Sequence, residues 1–574
     1  MNTSNFDKAK IQADVVDEKI INTLEEGKSF RVEAGAGSGK TYSLTKVINW
    51  IENNKWNEFK NKHQQVACIT YTNVAVDVIA SRLKKDSFIV PSTIHAFAWN
   101  AIKQFQEFLL NEVKTNEMFN SLGDDRNNIK QVQYELGKRF IENDILYLYH
   151  DDVIKLFVKI LDNPKFRMIF MSKFPVILID EYQDSFKIII DQFKKYFISS
   201  KKGPQFGFFG DAWQTIYQSN NPCGIIEDNN IQEIKKSSNF RSANNIVSLL
   251  NKIRPDLPQI SAVDKCQGDI YVVHCNDYSG IRRQERNFQD ELPVEELKSR
   301  LKKLEDIFFD KNSSNKTLMI THRVLSEQQG YEQILQAIDD KLKNNEDDLL
   351  RFFEKTIEPI FNALKTSNPE ELYSALGIKS TPIKNRSYKL KWKHFYEDLI
   401  VARSQKAIDV LNFVFESDLV PFPPKITNIY NSYNQTPDNI YYNKTTFRNY
   451  LNIQYKQFLS AINFLKPESI YSTNHGVKGE EYDNVIFSIS KGWNIYNFDK
   501  YIPQLRNPLE NDSSFIRNRN LFYVCCSRAR YKLLIFISSP MSKPFETFLK
   551  ELVPSENFLS YTEFENKFND KCTE

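Results

Sequence analysis

The stretch Ala34-Gly35-Ala36-Gly37-Ser38-Gly39-Lys40-Thr41 follows directly on the apolar-rich run Phe30-Arg31-Val32-Glu33. Few local sequences restrict a fold more, because a strand must feed a glycine-rich turn and the turn must open a helix. Glycines at this spacing let successive backbone N–H groups converge on an anion at the helix N-terminus. Lys40 is placed to reach β- and γ-phosphates, and the Thr41 hydroxyl to coordinate Mg²⁺. Ala34 stands where the usual pattern has its first glycine. A chance glycine turn before a helix is the bland alternative, and the Gly-Lys-Thr at the required offset argues against it.

A second segment completes this chemistry. Val176-Ile177-Leu178-Ile179 is a short continuous apolar run, as expected of a parallel strand buried on both faces, and it ends in Asp180-Glu181-Tyr182-Gln183-Asp184. In an open α/β sheet, ligands bind at the carboxyl ends of the strands. Asp180 there is expected to hold Mg²⁺, and Glu181 to orient and deprotonate an attacking water.

Strand-like runs at Val66 to Tyr71, Val176 to Ile179 and Phe206 to Phe209, with a helix over Val74 to Lys84, predict an α/β fold with a doubly wound parallel sheet. A second sheet is expected at Asp269 to Val273 and Thr317 to Ile320, resuming at Asn484 to Ser488 and Lys532 to Ile537. The 574 residues suggest about three to five structural units. The expected partition is 1–97 and 166–262 for a first lobe, interrupted by a mostly helical insertion at 98–165. Residues 263–325 and 466–574 form a second lobe, interrupted by a helical subdomain at 326–465. Pro421-Phe422-Pro423-Pro424 reads as a bend inside that subdomain.

The chain has 76 basic and 73 acidic residues, a net charge of +3, so any nucleic-acid binding must come from local patches rather than a global field. Seven cysteines (Cys68, Cys223, Cys266, Cys275, Cys525, Cys526, Cys572) show no metal-ligand spacing, and the odd number argues against a complete disulfide framework. No signal peptide and no run of the roughly 18 apolar residues a membrane helix needs is apparent. A cytoplasmic location is therefore expected. The vicinal Cys525 and Cys526 lie in an apolar stretch and read better as buried small hydrophobes than as a redox switch.

Further segments occur in order along the chain. Thr70-Tyr71-Thr72-Asn73-Val74-Ala75, Ser92-Thr93-Ile94-His95-Ala96-Phe97, Gly210-Asp211-Ala212-Trp213-Gln214-Thr215-Ile216-Tyr217 and Asn239-Phe240-Arg241-Ser242 come first. Thr473-Asn474-His475-Gly476-Val477-Lys478-Gly479-Glu480-Glu481-Tyr482 and Leu521-Phe522-Tyr523-Val524-Cys525-Cys526-Ser527-Arg528-Ala529 follow. With the phosphate loop and the acidic turn, this set resembles the superfamily 1 helicases of the UvrD/Rep group, over residues 34 to 530. Each element alone is weak, and their joint order is specific.

The resemblance implies two RecA-like lobes with ATP and Mg²⁺ between them, and 3′-to-5′ movement on single-stranded or tailed duplex DNA. Phosphoryl transfer needs cations that reach the γ-phosphate from a mobile lobe, so Arg528 is the expected arginine finger, Arg241 a second γ-phosphate contact and Gln214 the γ-phosphate sensor. By resemblance Glu481 touches the ribose. An adenine-reading glutamine lies upstream of the loop in this family, and Gln12 is the candidate, although 28 residues before Lys40 is a long spacing and an exposed helical Gln is an equal reading. Tyr71, His95 and Tyr217 are candidates to stack bases, with Thr70, Asn73 and Thr93 on the DNA backbone; each aromatic has core packing as its alternative.

Ser219 and Asn220 stand where the family usually has an aromatic post, and Gly476 and Val477 replace its commoner Lys and Ser. These departures leave hydrolysis better supported than translocation. The rival reading is an ATP-switched nucleic-acid or nucleotide sensor, like compact defence-type members of the group that work beside a separate nuclease. No nuclease signature is legible, so cleavage would come from a partner.

Overall fold

The computed structural model describes residues 4–569 except 136–138, 201, 217–220, 264–265, 285–288, 320–321, 344–346, 378–385, 435–443, 467–468, 474–476, 491–494 and 509–511. Its strands, numbered along the chain, are β1 Ser29–Ala34, β2 Val66–Thr70, β3 Ile89–Thr93, β4 Gln131–Tyr134, β5 Phe140–Glu142, β6 Ile145–Leu148, β7 Val176–Asp180, β8 Gln205–Gly210 and β9 Ile231–Lys236. They continue with β10 Ser238–Ala243, β11 Ile260–Val263, β12 Asp269–His274, β13 Asn315–Met319, β14 Tyr471–Thr473, β15 Tyr482–Ile489, β16 Ala529–Ile537 and β17 Phe558–Ser560.

Two parallel six-stranded sheets carry the fold, in the orders β3-β2-β7-β8-β1-β9 and β14-β13-β15-β16-β12-β17. This is the α/β class that the alternating pattern predicts. Continuous apolar strands are explained by cover on both faces: in β7, Ile177 and Ile179 enter one core with Phe206 and Phe208, while Val176 and Leu178 enter another with Phe30 and Val32. The second sheet repeats the device, with Leu534 and Phe536 on one face and Leu533 and Ile535 on the other. Much of the high phenylalanine content is consumed here, as in Phe193 against Phe206 (ring centroids 5.1 Å apart) and Phe170 against Phe197 (5.6 Å).

The order of the first sheet positions the site. β1 lies beside β8, and β8 beside β7, with Glu33 level with Gly210 and Asp180 level with Phe209. The phosphate loop, the acidic turn and the Asp211–Gln214 segment therefore leave adjacent strands at the same edge.

The expected helix over Val74 to Lys84 is shorter, Asn73–Ala80, capped by Thr72 Oγ1 accepting from Ala75 N (3.2 Å). The insertion between β3 and β7 is helical except for a three-stranded sheet, β4-β6-β5, that its pattern does not announce. β5 and β6 are antiparallel and joined at Asn143 and Asp144, whose φ values of +49° and +62° suit a two-residue hairpin. Between β13 and β14 run helices from His322–Gln329 to Tyr455–Leu465. Among the described residues no helix is long and apolar enough to cross a membrane.

Candidate functional site

β1 ends at Ala34 and the helix Lys40–Asn54 begins after five intervening residues. Gly37 and Gly39 have φ of +73° and +80°, and a Cβ on Gly37 would sit 2.7 Å from Arg241 Cβ and Asn239 Oδ1. The loop is gripped from outside: Ala36 O accepts from Asn239 Nδ2 (3.0 Å) and Gln259 Nε2 (3.1 Å), and Ala36 N donates to the Tyr523 hydroxyl (3.1 Å). Gly39 caps the helix without a side-chain acceptor, which leaves first-turn N–H groups available to an anion.

A cavity of about 570 Å³ opens over this loop. From the first lobe it is lined by the loop residues Gly35 and Gly37 to Thr41, with Asp180 and Glu181. Gln214 and Arg241 complete one wall, and Lys478, Glu481 and Arg528 the opposite one. Residues up to 493 positions apart in sequence, Gly35 and Arg528, thus meet around one volume. On the acidic turn Asp180 is buried and Glu181 half-buried, and Glu181 adopts the left-handed region (φ +47°). Lys40 Nζ donates to Glu181 Oε2 at 3.0 Å, and Gln183 Nε2 donates to the same oxygen at 2.6 Å.

The two carboxyls are pushed apart. Burial and then the Glu181 charge raise Asp180 above the ordinary carboxylate range. Glu181 is also disfavoured by burial, but Lys40 and Lys478 outweigh it and hold Glu181 low, ionised. Asp180 therefore carries the electrostatic deficit that a cation would relieve. With the exposed Thr41 hydroxyl on the same cavity, its hard-oxygen donor set fits Mg²⁺ completed by phosphate oxygens and water. Among the described residues no cluster of three or more His, Cys, Asp or Glu side chains could hold a metal by itself.

Arg528 is 1% exposed. Its guanidinium donates to the carbonyls of Val524 (3.0 Å) and Glu480 (3.0 Å), to Ser527 Oγ (2.9 Å) and to Gln214 Oε1 (3.3 Å). Among the described residues no carboxylate pairs with it. Burial, and next the Arg241 charge, lower its pKa, yet a guanidinium stays protonated at neutral pH. Arg241 is engaged differently from expectation: its Nε donates to Glu481 Oε2 (2.8 Å) and its Nη1 to Ser527 O (3.2 Å). The expected γ-phosphate contact and the expected ribose contact thus form one pair.

Three features were not legible as site residues. Lys478 bridges the lobes, bonding to Asp184 Oδ2 and to Gln214 O (2.6 Å). Burial raises Asp184 to about 6, against the pull of that lysine. Phe240, 42% exposed, lines the cavity beside Arg241 and offers a ring to a nucleobase; its aromatic within Asn239-Phe240-Arg241-Ser242 was the available signal. The Tyr523 bond to Ala36 had none, being a contact across the lobes.

Gln12 is not on the cavity wall. It lies on the helix Asn5–Glu25, where Asp17 Oδ1 accepts from Ser43 Oγ (2.5 Å) and Asp14 Oδ1 from Lys46 Nζ (3.1 Å). The helices therefore run antiparallel, and Gln12 falls further from the phosphate loop than Asp14. Ala34 and Ala36 are buried and also off the wall, so they shape the loop through backbone alone.

Thr70 and Thr93 are register partners at the carboxyl ends of β2 and β3. Thr93 caps the helix Ile94–Ile102, accepting from Ala96 N (3.4 Å), while the buried Thr70 hydroxyl donates to Thr72 O (3.1 Å) and Asn73 is exposed. His95 packs edge-on against His150 (4.7 Å) and Phe186 (5.3 Å), and burial together with His150 lowers it to about 4, so it is a neutral ring. Tyr71, 40% exposed, lines the cavity over the phosphate loop rather than the His95 cluster, because it follows the end of β2, next to β7. Tyr217, Ser219 and Asn220, like His475 and Gly476, lie outside the described residues. Cys525 and Cys526 are fully buried and their thiols are pushed up by burial, as inert core residues.

Residues 17–220 match a family model described as an AAA domain. The chain is 23% identical to the Gabija protein GajB of Bacillus cereus (strain HuB5-5), over 93% of this chain and 96% of that one. It is 26% identical to the ATP-dependent DNA helicase Rep of Buchnera aphidicola, over 38% of this chain and 42% of Rep. It is 25% identical to the mitochondrial ATP-dependent DNA helicase HMI1 of Saccharomyces cerevisiae, over 41% and 39%. The helicase matches thus span less than half of either relative, and the GajB match runs nearly end to end.

Proposed function

We propose, from the premise that the chain is a UvrD/Rep-like superfamily 1 protein related to GajB, that it hydrolyses ATP and couples hydrolysis to 3′-to-5′ movement along single-stranded DNA. The observation that carries the reading is Arg528, a buried cation with no carboxylate partner among the described residues, set across about 570 Å³ of cavity from Lys40 and Glu181. An uncompensated buried charge is costly unless a counter-charge arrives, and a γ-phosphate is that counter-charge.

The phosphate loop binds the β-phosphate through backbone N–H groups, and Lys40 moves from Glu181 to the phosphates. Thr41 and Asp180 would hold Mg²⁺, which when bound neutralises phosphate charge. Glu181, ionised and released from Lys40, orients water and accepts its proton. Arg528 stabilises charge developing on the γ-phosphate, and Gln214, hydrogen-bonded to Arg528, reports that state. Arg241 exchanges Glu481 for phosphate, which frees Glu481 for the ribose. Phe240 stacks on the base. Residues 1–97 with 166–262 act as one lobe, 263–325 with 466–574 as the other, and a strand crosses Thr70, Asn73, Thr93 and His95.

The test is steady-state ATP hydrolysis with and without single-stranded DNA, with Lys40→Ala and Glu181→Gln as controls, followed by unwinding of duplexes with 3′ or 5′ tails. Stimulation by DNA lost in both variants, with unwinding from 3′ tails alone, supports the reading; hydrolysis indifferent to DNA rejects it.

The end-to-end similarity to GajB favours a second reading, an ATP-switched subunit of an anti-phage complex whose separate partner cuts DNA. Co-purification of a nuclease, with weak unwinding by the isolated chain, would favour this second reading.

A further inference from the structure

At the edge of the first sheet that carries the phosphate loop, two buried carboxylates share one guanidinium. Glu33 is the last residue of β1 before Ala34, and Asp211 follows directly on β8. They are 5% and 0% exposed, and a single side chain bridges them. Arg254 Nη2 donates to Glu33 Oε1 at 2.9 Å, and Arg254 Nη1 donates to Asp211 Oδ1 at 2.6 Å. The guanidinium also lies 5.2 Å from the Trp213 ring centroid and 5.5 Å from that of Tyr523.

Both carboxylates are wired into the site. Glu33 Oε2 accepts from the Tyr182 hydroxyl of the acidic turn (2.7 Å), and Glu33 Oε1 from Ala212 N (2.9 Å). Asp211 Oδ2 accepts from Gln214 Nε2 (2.7 Å), and Gln214 Oε1 in turn accepts from Arg528 Nη2 (3.3 Å). An amide can face either way, and its orientation is decided by its partners. Asp211 Oδ2 takes the NH₂ end of Gln214, which leaves the carbonyl end for Arg528. Were Asp211 to turn away, that selection would be lost.

We propose that Arg254 is a positioning residue for hydrolysis: by bridging Asp211 and Glu33 it fixes the Gln214 amide, and through it the guanidinium of Arg528. The inference rests on the ATP reading of the preceding section and adds to it a residue outside the motif set. Electrostatics agree with the geometry. Burial, then the Asp211 charge, raise Glu33 above the usual carboxylate range while Arg254 opposes them, and Arg254 itself is raised by Asp211 and Glu33 against burial. The second lobe holds the same turn from the other side, with Asn520 Nδ2 donating to Thr215 O (3.0 Å) and Arg519 stacked 4.0 Å from the Trp213 centroid. Arg254 closes that clamp. A lysine would keep the charge, but its single nitrogen cannot reproduce a planar fork that reaches two carboxylates while facing two rings.

The test uses the full chain with Arg254→Lys, Arg254→Met, and Arg254→Met combined with Glu33→Gln, which removes one buried negative charge together with the positive one. Readouts are melting midpoint, affinity for a fluorescent ATP analogue, and kcat and KM for Mg²⁺-ATP at saturating single-stranded DNA. The expected result is a kcat lowered about 10- to 100-fold with KM and analogue affinity within about twofold, in the lysine variant and in the double variant alike. A folded lysine or double variant with kcat within about twofold of the parent overturns the proposal. Failure of all three variants to fold also counts against it, and assigns Arg254 to stability alone. Absence of hydrolysis in the unaltered protein sinks the ATP reading itself, whereas hydrolysis there and at undiminished kcat in the folded variants sinks only this inference.

Discussion

Replacing Glu181 by Gln should slow hydrolysis and tighten nucleotide binding together. Glu181 makes two bonds through Oε2, to Lys40 Nζ at 3.0 Å and Gln183 Nε2 at 2.6 Å, and both donors can still reach the amide oxygen of Gln. The left-handed backbone at φ +47° strains Gln no more than Glu, so the turn is kept. What changes is charge. Two unit charges 3.0 Å apart attract by about 5.5 kcal/mol at an effective dielectric of 20, but the net worth of a charged hydrogen bond is about 1.5–3 kcal/mol. A neutral amide retains about 1 kcal/mol of that. Lys40 therefore leaves for the phosphates at a cost lowered by about 0.5–2 kcal/mol, which is roughly 2- to 30-fold in ATP affinity. Loss of the base lowers kcat by roughly 10² to 10⁴. The assay is phosphate release at saturating ATP and single-stranded DNA, paired with titration of a fluorescent ATP analogue in Mg²⁺. A kcat within tenfold of the parent would refute Glu181 as the base, and a weaker affinity would refute Lys40 as a group that nucleotide must win from Glu181.

Asp180→Asn removes a carboxyl raised by burial and by Glu181, so Mg²⁺-dependent hydrolysis should vanish while the nucleotide-free protein melts roughly 2 °C higher; calorimetry showing a lower midpoint would contradict the deficit assigned to Asp180. Arg528→Ala should lower kcat by roughly 10³ to 10⁵ and also lower the melting midpoint, since it empties a buried site and strands the Glu480 carbonyl and the Gln214 amide oxygen, and Arg528→Lys should recover only part of the rate; steady-state kinetics and thermal melts check both halves. His95, lowered to about 4 by burial and His150, binds its proton more weakly folded than unfolded. Its contribution to stability is therefore complete above pH 6.5 and is lost as pH falls toward 4, so His95→Phe should flatten the melting-point decline between those values, while DNA affinity from pH 6 to 8 should show no step attributable to this ring.

How far the residues announce this site depends on whether a contact is local. The phosphate loop and the acidic turn are legible because backbone geometry and charge sit within eight residues or fewer, and the sheet order then brings Ala34, Asp180 and Gly210 to one edge. Continuous apolar strands such as β7 are equally legible, since burial on both faces leaves an unbroken run. Strands of three or four residues, β4 to β6, β14 and β17, are too short to express a period, which is why the 98–165 insertion reads as helical. Gln12 misleads for a related reason: a count of residues to Lys40 says nothing of the direction in which an intervening helix runs, and only the Asp17–Ser43 and Asp14–Lys46 contacts reveal it.

Buried charge is the hardest case. Glu33 in β1 and Arg254 at the end of the helix Asn244–Ile253 each look like surface residues, 221 positions apart, and neither alone would be tolerated in the core. Their mutual need is invisible until the fold joins them. The same holds for Arg241 and Glu481, assigned separately to phosphate and ribose but paired at 2.8 Å, and for Lys478 and Asp184. On the nucleotide reading the Lys40–Glu181 and Arg241–Glu481 pairs occupy charges needed elsewhere, so nucleotide exchanges partners at Lys40 and Arg241 while Arg528 waits unpaired by any carboxylate among the described residues. On that reading the switch is stored in ion pairs, and motif reading, which assigns one residue one role, passes over it.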